Sequence, residues 1–244
     1  MNEITYITVI GLLTGIMGTV GGGLIVLMLR KIEEGFLTFI LGISAGVMTV
    51  IVFLDLIPEA LEMGNTITTL AGMFLGVGII GLMDFVFPHI HHPEKAKNNY
   101  YKAGVLLALG IALHNVPEGL AIGAGFSAER TLGIGLAVII GIHNCPEGMA
   151  VATSLSLSGV RGFKILAVTM LAGIPMGLGA FLGAYLGNIS SFFLSLSLGF
   201  AAGAMLFITF DELIPSAHER NNGKLAITGI LLGVFLGIIL TNNL

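Results

Sequence analysis

Long runs of apolar residues dominate the hydropathy pattern of this 244-residue chain. A helix needs about 20 mainly apolar residues to cross the hydrocarbon core of a bilayer. Eight runs reach that length, and the connections between them are short. The pattern therefore predicts an all-α polytopic membrane protein with a single transmembrane domain over residues 1–244. The eight predicted spans cover residues 4–29, 36–61, 66–88, 103–126, 131–156, 163–187, 190–217 and 224–241.

The composition agrees with a membrane protein and argues against other classes. Hydrophobic residues make up 55% of the chain and charged residues 10%, whereas a soluble domain carries about 25% charged residues. Transmembrane β-strands would alternate polar and apolar residues in segments of about ten, and these runs do not alternate. The first span follows Met1, Asn2 and Glu3 without a basic leader and is long for a signal peptide, so it is read as a membrane span.

The basic residues predict the orientation. Nine of the ten lie in loops on one side of the predicted topology, and Arg130 alone lies on the other side. The positive-inside rule places the nine in the cytoplasm, so both termini are expected outside it, in a multi-pass protein of the cell membrane. The nine are Arg30, Lys31, Lys95, Lys97, Lys102, Arg161, Lys164, Arg220 and Lys224.

Two internal repeats connect spans that run in opposite directions. His-Asn-x-Pro-Glu-Gly occurs at 114–119 in span 4 and again at 143–148 in span 5. Residues 45–62 of span 2 resemble residues 202–219 of span 7, and Asp55 aligns with Glu212. Because similar sequences then cross the membrane in opposite directions, an inverted repeat is expected, here grouped 3+2+3. Transporters use such symmetry for alternating access, with the substrate site near the midplane.

Four ionisable residues lie near the middle of spans 4 and 5. Glu118 follows His114 by four positions and Glu147 follows His143 by four, so each pair lies on one helix face. A charged side chain at the bilayer centre costs about 2.5–3.5 kcal/mol on insertion scales. The four groups are therefore expected to face inward, where two carboxylates and two neutral imidazoles suit a divalent transition-metal ion. The alternative is that these side chains only form polar contacts between helices and bind no metal.

Other residues of the motifs could add to this site. Pro117 and Pro146 cannot donate a backbone hydrogen bond, so each is expected to kink its helix and free a carbonyl. Asn115 and Asn144 supply neutral oxygens. Cys145, the only cysteine, is read either as a packing residue or as a metal-directed thiol.

Acidic and histidine residues elsewhere could line a path for the ion. Glu62 and Glu219 lie at the ends of spans 2 and 7, where plain solvation is the alternative, and three further acids lie deeper. The loop after span 3 carries a short histidine tract that could receive metal or simply be solvated. The deeper acids are Asp55, Asp211 and Glu212, and the loop histidines are His89, His91 and His92.

These features resemble the Zrt/Irt-like (ZIP) family of metal transporters, in particular its short prokaryotic members. The resemblance covers essentially the whole chain and rests on the span 4 motif, the span 5 His-x-x-x-Glu, the histidine loop and the Ala-Gly-x-Met segment of span 2. It implies transport of zinc, or of iron, manganese, cobalt or cadmium, toward the cytoplasm. It also implies a homodimer. The candidate metal ligands are His114, Asn115, Glu118, His143, Asn144, Glu147 and Met48.

One departure from the family concerns span 6. Members with a two-metal centre often carry a glutamate there, but this span has no acidic residue, and Ile174 occupies the expected position. We therefore expect about one tightly held metal, because buried charges must be paired.

Two other functions compete with transport. An intramembrane metal-dependent enzyme is the alternative, but the His-Glu-x-x-His motif of zinc proteases does not occur. A metal sensor would need a signalling domain. We expect that the protein is not an enzyme and uses no cofactor, and that the metal is its transported substrate. The expected partners are the lipid bilayer and metal ions, and no nucleic acid. Gly229, Gly233 and Gly237 could pack at a dimer contact or within one chain.

Overall fold

The computed structural model describes residues 2–29, 33–86, 100–219 and 223–241. These residues form eight helices long and apolar enough to cross a membrane, and contain no strand. All eight predicted spans are confirmed, with ends shifted by a few residues. The helices are α1 (Glu3–Leu29), α2 (Glu34–Val50, Ile51–Leu56 and Ile57–Met63), α3 (Thr66–Val86), α4 (Tyr100–Ala128), α5 (Arg130–Leu157), α6 (Gly162–Gly173 and Pro175–Gly187), α7 (Ser191–Ile208, Thr209–Leu213 and Ile214–Glu219) and α8 (Gly223–Thr241).

Four helices form the centre of the bundle. Over their most apolar stretches α2, α5 and α7 are each 67% buried and α4 is 61% buried, whereas α3 and α8 are only 22% buried. The outer helices expose large apolar side chains, among them Phe74 and Phe235. Such a surface needs lipid around it, so the chain is a multi-pass membrane protein. Among the described residues, the ionisable side chains that are buried all lie on the inner helices α4 and α5: His114, Glu118, His143 and Glu147.

Glycines bring the helices together in four close pairs: α1 with α5, α2 with α8, α3 with α7 and α4 with α6. In each pair a glycine lies against a backbone carbonyl of the neighbouring helix, where an added Cβ would collide with that carbonyl. Small residues allow this approach in membranes, where packing and polar contacts drive association. The contacts are Gly22 with Cys145, Gly46 with Ile230, Gly76 with Phe200 and Gly119 with Met176.

Prolines interrupt α2, α6 and α7, but not the two helices where interruptions were expected. Both Ile51–Leu56 in α2 and Thr209–Leu213 in α7 are π-helical, and each ends two residues before a proline. Because proline lacks an N–H and crowds the carbonyl four residues earlier, a wider turn relieves the clash. By contrast α4 and α5 continue as α-helix through Pro117 and Pro146.

A polar layer separates two buried apolar clusters. On α4 the His-Asn-x-Pro-Glu motif lies between Ile111 of one cluster and Leu120 of the other. On α5 the second motif lies between Ile140 and Met149 in the same way. The fold therefore holds both motifs inside the bundle at one level, away from either end.

Candidate metal centre

Glu118, His143 and Glu147 converge between α4 and α5. His143 Nε2 lies 3.4 Å from a carboxylate oxygen of Glu118 and 3.4 Å from one of Glu147. Their candidate ligand atoms all lie within 4.8 Å of one another. The i, i+4 spacing brings His143 and Glu147 together, and the packing of α4 on α5 adds Glu118. We call these three residues the α4–α5 cluster.

Several polar atoms in and beside this cluster are buried without a hydrogen bond. Within the described residues, both carboxylate oxygens of Glu118 and Glu147 are buried without a hydrogen bond, as are His143 Nε2 and Asn144 Oδ1. A buried carboxylate left without a partner is costly, so such groups are normally paired or bound to a cation. Two carboxylates would balance the charge of one divalent ion. The set therefore fits a cation and no anion.

The spacing also suits a small metal ion. Zinc binds imidazole nitrogen and carboxylate oxygen at about 2.0–2.2 Å, which in a tetrahedral site places ligand atoms about 3.4 Å apart. Both His143–glutamate separations are 3.4 Å. Both His143–glutamate separations therefore match a zinc-sized ion, and the ligand atoms of Glu118 and Glu147 lie within 4.8 Å of each other.

His114 does not join the cluster. It is buried, and its Nε2 lies 3.1 Å from a carboxylate oxygen of Glu212 on α7. Both side chains line a cavity of about 50 Å³ that Glu147 and Ser216 also line. The two motif copies therefore differ in this conformation, because one histidine faces two glutamates of the cluster and the other faces α7.

The two asparagines form a hydrogen-bonded chain across three helices. Asn115 Nδ2 donates to the backbone carbonyl of Ala172 at 2.8 Å, and Asn144 Nδ2 donates to Asn115 Oδ1 at 2.8 Å. Because the Ala172 carbonyl can only accept, it fixes both amide orientations. Asn115 is thereby used to connect α4 with α6, and Asn144 Oδ1 is the amide oxygen left for an ion.

Met48 and Cys145 lie in apolar surroundings. Met48 is fully buried in the larger apolar cluster, on the α2 face that it shares with Ser44 one turn earlier. Cys145 is half-buried and lines a lipid-side groove between α1 and α5, together with Met17 and Ile142. This location favours packing over metal binding for the thiol.

The expectation for span 6 needs a correction. Ile174 is 40% exposed and lies at the break between the two segments of α6. The inward positions nearby are Ala172 and Met176, both buried. Ile174 occupies the position where a carboxylate was expected, but its side chain is partly exposed on the outside of the bundle and is not buried beside the cluster.

A second polar region lies at the end of the bundle that carries the α4–α5 turn. Asp55, in the π-helix of α2, accepts a hydrogen bond from Thr241 Oγ1 at 3.3 Å and lines a cavity of about 200 Å³. Glu59 and Glu129 line the same cavity. The sequence analysis missed both, although Glu59 follows the repeated proline and Glu129 lies in the turn between the two motif helices.

The remaining predicted path residues differ in position. Glu62 is exposed, and Asp211 is half-buried in the π-helix of α7. Glu219 ends α7, but its side chain lies outside the described part. His89, His91 and His92 also lie outside the described residues.

Comparison with known proteins agrees with these features. A family model described as ZIP Zinc transporter matches residues 88–241. Three relatives named zinc transporter ZupT cover nearly the whole chain. The Akkermansia muciniphila protein is 34% identical over 261 residues, covering 94% of this chain and 92% of that protein. The Corynebacterium glutamicum protein is 35% identical over 246 residues, covering 92% of each. The Chlorobium limicola protein is 33% identical over 249 residues, covering 92% of this chain and 91% of that protein.

Proposed function

Because the chain belongs to the ZIP family of zinc transporters, we propose that it moves divalent metal ions, zinc foremost, toward the cytoplasm through the α4–α5 cluster. The observation that carries this proposal is the convergence of Glu118, His143 and Glu147, whose buried carboxylate oxygens and imidazole Nε2 make no hydrogen bond within the described part of the chain. Membership of a transporter family makes the protein a metal transporter and not an enzyme. The metal is accordingly its substrate and not a cofactor.

The cluster can replace the water around a divalent ion inside the membrane. An ion that loses its hydration needs oxygen and nitrogen ligands and compensating charge. Glu118 and Glu147 provide two negative charges, and His143 Nε2 and Asn144 Oδ1 lie beside them as neutral acceptors. His114 and Met48 join the proposed ligand set only after side-chain movement, because neither belongs to the cluster in this conformation.

Cavities lined by acidic side chains lie on both sides of the cluster and form the proposed path of the ion. On the cytoplasmic side, His114, Glu212 and Ser216 share a cavity with Glu147, so an ion leaving the cluster would meet His114 and Glu212 next. On the other side, Asp55, Glu59 and Glu129 line the cavity near the α4–α5 turn. A carboxylate-lined cavity attracts cations and raises their local concentration. We assign it to metal entry.

The cell membrane and the outward termini remain parts of this proposal. They rest on the basic residues, nine of ten on one side of the topology. With that orientation the α4–α5 turn and the Asp55 cavity face outward, and the loop with His89, His91 and His92 faces the cytoplasm.

The inverted 3+2+3 repeat is also proposed, and the helix contacts support it. If spans 1, 2, 3 and 4 correspond to spans 6, 7, 8 and 5, then the pair α2–α8 maps onto α7–α3. The pair α4–α6 maps onto α5–α1 in the same way. These are the four closely packed glycine pairs. The π-helices Ile51–Leu56 and Thr209–Leu213 also occupy matching positions.

The homodimer stays a prediction from the family resemblance. One surface is unsuitable for it, because Gly229 and Gly233 pack against backbone carbonyls of α2 and Gly237 packs against Val50. A contact between two copies would have to use another face of the bundle.

Transport can be tested in liposomes that contain the purified protein and a zinc-sensitive dye. When zinc is added outside the liposomes, the proposal predicts a signal from the enclosed dye for the natural protein. It predicts no signal for Glu118→Gln or for liposomes without protein. If the natural protein, correctly inserted, moves no zinc or other divalent metal, the proposed function is wrong.

A further inference from the structure

Ser44 on α2 contacts His143 from the side opposite the glutamates. It is 2% exposed. Its Oγ lies 2.5 Å from His143 Nδ1 and 3.2 Å from the backbone carbonyl oxygen of His143. One hydroxyl therefore faces both the ring and the backbone of a proposed metal ligand, although Ser44 belongs to neither motif.

The number of hydrogens decides how these contacts can form. A serine hydroxyl has one hydrogen and can also accept, whereas a carbonyl oxygen can only accept. Both contacts become hydrogen bonds if Ser44 Oγ–H donates to the His143 carbonyl and His143 Nδ1–H donates to Ser44 Oγ. In the opposite tautomer Nδ1 has no hydrogen and would accept the Ser44 O–H. The contact between Ser44 Oγ and the His143 carbonyl would then contain no hydrogen and would not be a hydrogen bond.

The favoured tautomer leaves the Nε2 lone pair free. Nε2 faces Glu118 and Glu147 at 3.4 Å each, which is the side where a metal would bind. The other tautomer would direct an N–H to that side and offer no lone pair. Metal-binding histidines generally donate their second ring N–H to a neighbouring acceptor, which fixes tautomer and ring orientation.

We propose that Ser44 is a positioning residue for metal binding: it accepts a hydrogen bond from His143 Nδ1–H and so holds Nε2 as the ligand atom. The proposal rests on the proposed function of the α4–α5 cluster. Ser44 itself need not touch the ion, because its effect passes through the imidazole ring.

Ser195 provides a matched control. It is also fully buried, and its hydroxyl joins two helices by donating to the Ala60 carbonyl at 2.7 Å. It contacts no residue of the cluster in these interactions. Ser195→Ala and Ser44→Ala therefore each remove one buried interhelical hydroxyl, but only Ser44→Ala removes the acceptor for His143.

The first test measures zinc affinity of the full-length protein in detergent by competition with a fluorescent chelator. Ser44→Ala is expected to weaken binding about 10–100-fold, the range typical for loss of such a partner. Ser195→Ala is expected to leave affinity nearly unchanged. Ser44→Thr, which keeps the hydroxyl, should recover most of the loss. Equal losses in Ser44→Ala and Ser195→Ala would overturn the positioning role.

The second test needs no folded Ser44 variant. Histidine labelled with nitrogen isotopes, observed by NMR in the natural protein with an NMR-active cadmium isotope bound, reports which ring nitrogen binds metal. Coupling to Nε2 with a proton on Nδ1 is expected for His143, whose signals are those lost in His143→Ala. Coupling to Nδ1 would overturn the proposal. If His143→Ala binds zinc as well as the natural protein, the metal centre itself fails, which is a separate result.

Discussion

His114 Nε2 and a carboxylate oxygen of Glu212 lie 3.1 Å apart, across the contact between α4 and α7. The equivalent nitrogen of His143 instead lies between Glu118 and Glu147. Two nearly identical sequence motifs therefore place their histidines in different surroundings. We expect the two histidines to contribute differently to binding and to release of the ion.

His114→Ala and His143→Ala should separate these roles. His143→Ala removes a member of the cluster, so both zinc affinity and uptake should be lost. His114→Ala leaves the cluster intact, so affinity should fall by less than in His143→Ala while the uptake rate falls strongly. Equilibrium zinc binding and initial uptake rates, measured on the same preparations, provide the comparison. Equal losses of affinity in the two variants would show that His114 is a ligand of equal weight.

Glu118→Gln should abolish zinc binding and yet stabilise the metal-free protein. Glu118 and Glu147 are two buried carboxylates in one cluster, and like charges at short range without partners are unfavourable. Replacing one by a neutral amide of similar shape removes that repulsion together with an essential ligand. Thermal unfolding in chelator should therefore give a higher midpoint for Glu118→Gln than for the natural protein.

A matched control is Glu33→Gln, which changes the same residue type at an exposed position before α2. Its unfolding midpoint and zinc affinity should stay close to those of the natural protein. A lower midpoint for Glu118→Gln would mean that its carboxylate has a stabilising protein partner.

Several of these features were predictable from the chain, because they depend on local pattern. Long apolar runs determine the eight spans, and the i, i+4 spacing places Glu147 beside His143. The partner of His114 was not predictable, because the rotation of α7 about its axis depends on packing with α3 and on the π-helix Thr209–Leu213. Ser44 lacked any motif, and only its contact with His143 reveals it.

Span 6 is a second case in which the sequence did not predict the surroundings of a side chain. The absence of an acidic residue was readable from the sequence, but the exposure of Ile174 was not, because it depends on how α6 packs against α1 and α4. The helical period shows which residues share a face of one helix. It does not show which neighbouring helix that face contacts, so such contacts cannot be predicted from the sequence pattern.

Acidification should weaken metal binding. Metal ligands must be deprotonated, so protons compete with zinc for His143 and for both glutamates. Apparent affinity should be highest near neutral pH and fall between about pH 7.5 and about pH 5.5, across the range in which histidine takes up a proton. Zinc titrations at several pH values, with the chelator calibrated at each, measure this. An affinity independent of pH over that interval would argue against histidine as a ligand.

About one metal should bind tightly to each chain. The cluster offers two carboxylates, which balance one divalent ion, and two dications close together would repel strongly in a medium of low dielectric. Because Ile174 is 40% exposed, Ile174→Glu should leave the number of bound metals unchanged. Elemental analysis of the purified protein and of this variant gives the number directly. Two firmly bound metals per unmodified chain would require a further negative group at the site.

Anomalous X-ray scattering from zinc-soaked crystals tests the central claim most directly. The account predicts a zinc peak between Glu118, His143 and Glu147, with bonds of about 2.0–2.2 Å to imidazole nitrogen and carboxylate oxygen. Crystals of Glu118→Gln should lack that peak under the same soak. Zinc bound only elsewhere, for example in the cavity at Asp55, with the α4–α5 cluster empty at saturating zinc, would contradict the account.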